Sequence, residues 1–90
     1  MQPTPIQQQA IQAKLNFMLG PEIYDRFFLG FVCGRVDDKT VYVFVENEDT
    51  AGVIDADYSW HVAVIVESIL KTPVRFVSVL PRNFSDRQAR

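Results

Sequence analysis

Apolar residues recur along this chain at two different periods, and the change of period separates strands from helices. Every second residue from Val41 to Val45 is valine, which predicts a strand, and Phe31 to Val36 predicts its partner across a tight Asp38-Lys39 turn. Asn47 follows, a residue able to cap a helix, and from about Glu48 to Lys71 apolar residues recur every three or four positions. The stripe of this long amphipathic helix consists of Ile54, Tyr58, Val62, Ile65 and Ile69.

Two further helices are predicted before the hairpin. Thr4 is placed to cap a first helix from Pro5 to about Leu19, because Gln7 stands where a capping-box partner belongs. Its expected inward stripe is Ile11, Leu15, Met18 and Leu19. Gly20 is a suitable stop, and Pro21 opens a short second helix that Gly30 ends. The apolar side of this second helix is formed by Ile23, Tyr24, Phe27 and Phe28.

Thr72-Pro73 stops the long helix, and Val74 to Leu80 predicts a third strand. The predicted order is therefore α-α-β-β-α-β. Because a three-stranded sheet cannot shield itself, the helices are expected on one of its faces, in a two-layer α+β domain. We expect that domain to span residues 1–80, with residues 81–90 forming a polar tail or the start of a linker.

Composition narrows the function classes. Ninety residues with a net charge of -2 make one domain and argue against strong binding of duplex DNA, which needs a concentrated basic face. His61 has no second ligand at a metal-binding spacing, and no phosphate loop, serine elbow or useful carboxylate pair is present. Cys33 lies in an apolar strand and is expected to be a core residue. The sequence thus predicts no catalytic residues, no metal and no cofactor.

The location of the protein is predicted from its apolar runs. They are far shorter than the roughly 20 residues of a membrane span. The N-terminal "MQPTPIQQQ" lacks the charge and the apolar stretch of a secretory signal. We therefore expect a cytoplasmic protein with no membrane contact.

Three surfaces remain open to more than one interpretation. On a regular helical wheel Trp60 points away from the main stripe, beside Val53 and Val64. This second face either packs under another helix, disappears because the helix changes phase near Asp57, or binds a partner. Tyr42 and Phe44 alternate with the three valines of the second strand, so they lie on the opposite face of the sheet. That face is expected to be covered either by the C-terminal tail through Phe84 or by another chain. An acidic group around the start of the long helix either caps it or attracts a basic partner: Glu46, Glu48, Asp49, Asp55 and Asp57.

The order of elements and three motifs resemble the N-terminal domain of the bacterial chromosomal replication initiator DnaA, a small KH-like α+β fold. The motifs are the aromatic second helix "IYDRFFLGF", the hairpin "VDDKTVYVFVEN" and the closing strand "VRFVSV". The spacing from Asn47 to Tyr58 and Val62 also resembles that of the long helix in this family. Together the resemblance covers roughly Gln8 to Val79.

This resemblance implies a non-catalytic domain that self-associates, recruits the replicative helicase, binds initiator regulators and at most contacts single-stranded DNA weakly. Its self-association surface falls near Gln8 and Gln9, where the family often carries tryptophan. Its helicase contacts fall at Tyr24, with Glu22 close by, and at Asp49. The predicted partner surface as a whole comprises Glu22, Tyr24, Asp49, Val53, Trp60 and Val64.

Two alternative functions stay open. One is a KH-like nucleic-acid-binding module, although the Gly-x-x-Gly loop with which that class clamps phosphates is absent. The other is an adaptor domain of a helicase loader or clamp loader with similar topology. Partner binding that survives moderate salt discriminates a protein-binding domain from the nucleic-acid module.

Overall fold

The computed structural model describes residues 1–82 and contains the predicted elements in the predicted order. Helix α1 spans Pro5–Leu19, and α2 consists of Pro21–Ile23 continued by a wide π-helical turn at Tyr24–Phe28. Helix α3 begins as Glu48–Val53, widens into a second π-helical turn at Ile54–Tyr58, and continues as Ser59–Leu70. The strands are β1 (Val32–Asp37), β2 (Thr40–Val45) and β3 (Phe76–Pro81).

The predicted helix starts and stops are confirmed. The Gln7 backbone N–H donates to Thr4 Oγ1 at 3.1 Å, and the Thr4 N–H donates to Gln7 Oε1 at 2.9 Å, which completes a capping box. Gly20 ends α1 with φ 88°, a conformation that glycine adopts without strain. Asn47 caps α3, because its Oδ1 accepts from the Thr50 N–H at 2.9 Å.

The sheet is mixed, with strand order β1-β2-β3. Strands β1 and β2 are antiparallel and joined by the two-residue turn Asp38-Lys39, whose φ values of 50° and 65° match the twist of a tight hairpin. Strands β2 and β3 run parallel, so that Val41 lies opposite Val77 and Val43 opposite Val79. The long helix α3 is the crossover that parallel pairing requires.

All three helices contribute to a core on one face of the sheet, which confirms the two-layer α+β architecture. The three valines of β2 are fully buried there. On the opposite face Tyr42 and Phe44 remain half-buried. The largest fully buried side chains are Phe28, Phe31, Ile11, Leu15, Ile54 and Ile65.

Details of the predicted core need one correction. Met18 was expected in the inward stripe of α1 but is 50% exposed. The buried line follows Ile11, Leu15 and Leu19 at four-residue spacing, and Met18 lies at the edge of that line on the last turn.

Strand β3 includes Pro81, one residue beyond the expected domain end. Residues 83–90 of the expected tail, with Phe84, lie outside the described part of the chain.

The outer edge of β1 is covered by polar groups from the N-terminal region. Gln8 Nε2 donates to the Cys33 carbonyl at 2.7 Å, and the Cys33 N–H donates to Gln8 Oε1 at 2.6 Å. Gln12 Nε2 donates to the Phe31 carbonyl at 2.9 Å. The Val36 N–H donates to the Met1 carbonyl at 2.7 Å, and the Met1 amino group donates back to the Val36 carbonyl at 3.1 Å. These groups replace a neighbouring strand and close this edge.

Candidate protein interface

Exposed aromatic side chains converge where the second half of α3 meets the start of β3. Trp60 is 74% exposed, Phe76 63% and Val64 42%. All three line one open groove, together with Ala63, Val74 and the charged residues Glu67 and Arg75. We call Trp60, Val64 and Phe76 the Trp60 patch.

A π-helical turn in α3 precedes Trp60 and separates it from Val53. One additional residue in a turn shifts the phase of the following helix by about 100°. The phase shift predicted as one alternative near Asp57 is therefore present, at Ile54–Tyr58, and Tyr58 leaves the helical region with φ -126° and ψ 3°. After the turn Val62, Ile65 and Val66 face the core, and Trp60 and Val64 face outward. Val53 precedes the turn, is half-buried and does not line the groove.

The three positions implied as helicase contacts differ in accessibility. Glu22 and Asp49 are exposed, at the starts of α2 and α3 respectively. Tyr24 is half-buried and stacks on Phe28 with ring centroids 6.1 Å apart. Burial, with a smaller contribution from Asp25, raises the pKa of Tyr24, so its hydroxyl remains protonated. None of the three lines the groove of the Trp60 patch.

The predicted self-association residues lie on α1, whose Gln8 bonds to the outer edge of β1. The Gln8 side chain is held by Cys33 through both of its polar atoms. Gln9 is exposed. Ile6 and Phe17 on the same helix are 79% and 86% exposed, so α1 presents separate apolar residues to solvent. Self-association through this helix stays a prediction.

The two side chains with potential for chemical reactivity, Cys33 and His61, pack against other residues of the domain. Burial raises the pKa of the Cys33 thiol to about 12, which keeps it protonated and a poor nucleophile. The His61 ring lies 5.8 Å from that of Tyr58, and its buried Nδ1 has no hydrogen-bond partner among residues 1–82. Within the same residues no three His, Cys, Asp or Glu side chains are grouped as a metal site. None of the described helices has the length and apolar character to cross a membrane.

Sequence reasoning did not identify Phe76 as a surface residue. It was assigned only to the third strand, although its position gave a usable signal. Val77 and Val79 alternate with Phe76, and residues that alternate in a strand face opposite sides of the sheet. Because the valines pack against the core, Phe76 is directed away from it and lies exposed at the edge of the sheet.

Comparison with known proteins assigns no family to this chain. No protein-family model matches the chain, and no curated protein matches it significantly.

Proposed function

We propose that this chain is a non-catalytic protein-interaction domain that recruits its partners through the Trp60 patch. The observation that carries this proposal is an indole 74% exposed and a phenyl ring 63% exposed that line the same groove. Exposed aromatic clusters of this kind are typical of binding surfaces, and tryptophan at the centre of an interface contributes a large share of the binding energy.

The resemblance to the N-terminal domain of a replication initiator suggests which partners to consider, by analogy of fold and motif. They are the replicative helicase, regulators of the initiator and a second copy of the chain, in an initiator or in a stand-alone relative. The exposed Glu22 and Asp49 are available as polar contacts outside the groove of the Trp60 patch. Tyr24 packs on Phe28 and is only half exposed to a partner.

The decisive variant is Trp60→Ala, tested for binding to the purified replicative helicase of the same organism by biolayer interferometry. We expect affinity at least about tenfold weaker, the range of an interface hot spot, with a nearly unchanged unfolding midpoint. Phe17→Ala is the matched control, because Phe17 is an equally exposed aromatic residue on α1. Wild-type affinity in Trp60→Ala, or equal losses in both variants, would refute a specific role for the patch.

A second candidate is a weak single-strand-binding module on the outer face of the sheet. Tyr42 and Phe44 lie there half-buried, and the Arg35 guanidinium is 5.4 Å from the centre of the Tyr42 ring. Aromatic rings with a nearby cation stack on bases without sequence preference. Such binding, measured by fluorescence anisotropy with an oligothymidine, should disappear at about 150 mM salt. Helicase binding that persists at that salt favours the protein-interaction domain.

A further inference from the structure

We propose that the free edge of β3 binds an extended segment of a partner protein as a fourth strand, beside the Trp60 patch. The segment that fits carries alternating large apolar and basic residues. This inference rests on the proposed function, because it specifies how a partner reaches the patch.

The two edges of the sheet differ in how they are covered. The edge at β1 is closed by Gln8, Gln12 and Met1, as described above. Strand β3 pairs only with β2, and no other element of residues 1–82 forms a backbone hydrogen bond along its outer side. An edge left open in this way is a template for an added strand.

The hydrogen-bonding groups at this edge follow from the register. The Phe76 N–H donates to the Lys39 carbonyl at 3.1 Å, which directs the backbone of Phe76 toward β2. Neighbouring residues of a strand direct their N–H and C=O groups to opposite sides. Val77 and Val79 therefore direct theirs outward, and these two residues offer two donors and two acceptors.

A groove runs beside this edge, between β3 and α3. On the helix side it is lined by small residues, Ala51 and Gly52 at one end and Ser59 and Ala63 at the other. A Cβ built on Gly52 would meet nothing within 4 Å, so side chains of an added strand have room there. Side chains on the opposite face of the added strand would lie toward the phenyl ring of Phe76.

The charges along the groove favour a basic occupant. Asp55 lines the groove near Ala51 and Gly52. Glu67 lies at the opposite end, and Arg75 is the one cation among the described groove residues. The exposed Trp60 ring also attracts cationic side chains through its π face. A second copy of this acidic chain is less complementary than a basic segment.

The test uses a synthetic eight-residue peptide of alternating valine and lysine with blocked ends. Binding to the full chain is followed by Trp60 fluorescence, and amide hydrogen exchange is followed by NMR spectroscopy. We expect saturable binding and at least tenfold slower exchange of the Val77 and Val79 amides, with no change at Phe17. The same peptide with glutamate in place of lysine should bind at least tenfold more weakly.

A backbone variant separates strand addition from side-chain contact. Val77→Pro removes an outward N–H and leaves the bonds to β2 in place, a position that tolerates proline in edge strands. Val77→Ala shortens the side chain and keeps the N–H. We expect loss of peptide binding in the first variant and retention in the second, with folding checked by thermal unfolding. If Val77→Pro does not fold, the exchange measurement on the wild-type chain decides.

Four results would overturn the inference. The first is unchanged exchange at Val77 and Val79 in saturating peptide. The second is protection of both amides in the dilute free chain, which would mean that residues 83–90 occupy the edge. The third is protection that grows with protein concentration alongside a dimeric mass, which would identify a second copy. Helicase binding that depends on Trp60 but leaves both amides unprotected would contradict strand addition and leave the proposed function standing.

Discussion

At the scale of single residues, Tyr58 joins α2 to the π-helical turn of α3. Its ring lies 6.0 Å from that of Phe27, 5.8 Å from that of Phe28 and 5.8 Å from that of His61. These contacts fix α2 against α3 at the residue where the π-helical turn ends. The position of Trp60, two residues later, thus depends on how Tyr58 packs.

We predict that Tyr58→Ala lowers the free energy of unfolding by about 2 to 4 kcal/mol, because it removes a ring from an aromatic cluster and leaves a cavity. Urea denaturation followed by circular dichroism measures the loss. Tyr58→Phe is the control, since it keeps the three ring contacts, and should cost less than about 1 kcal/mol. A loss below about 0.5 kcal/mol in Tyr58→Ala would mean that the cluster does not hold α2 against α3.

The sequence predicted most of these packing residues. Periodicity placed Ile54, Val62 and Ile65 inward correctly, because burial of one helix face imposes a repeat that the residues themselves carry. Periodicity left the environment of Trp60 open, because a helical wheel does not show whether another helix covers an apolar residue that lies off the main stripe. Propensity does not reveal a π-helical turn, which is stabilised here by tertiary packing of Tyr58.

At the scale of elements, the sheet depends on side chains for one of its edges. Gln8 was considered as a self-association residue, and the structure shows its amide bonded to both backbone groups of Cys33. Such long-range pairing between a helix side chain and a strand edge leaves no periodic signal in the sequence. The hairpin, in contrast, was predictable because alternation and turn length are local.

We predict that Gln8→Ala lowers the free energy of unfolding by about 1 to 3 kcal/mol, because the Cys33 N–H and C=O lose their partners in a partly buried position. Gln9→Ala is the matched control: it makes the same substitution at the adjacent exposed position and should change stability by less than about 0.5 kcal/mol. Chemical denaturation of the two variants compares them directly. Equal effects would show that the edge bonds contribute nothing measurable.

At the scale of the whole molecule, the described part of the chain is asymmetric. One sheet edge is closed by Met1, Gln8 and Gln12, and the opposite edge at β3 stays open beside the Trp60 patch. The core is complete without Trp60, since every fully buried side chain lies elsewhere. This separation allows the patch to bind a partner without a cost to folding, which is the central claim of the proposed function.

Trp60 fluorescence tests that claim most directly, because Trp60 is the only tryptophan of the chain and its emission reports on this site alone. In a dilute solution of the free chain we predict the red-shifted emission maximum of an indole in water, with efficient quenching by iodide. Thermal unfolding of Trp60→Ala should give a midpoint close to that of the wild type. A blue-shifted maximum that iodide does not quench, together with a loss of about 3 to 5 kcal/mol in Trp60→Ala, would place Trp60 in the core and contradict the account.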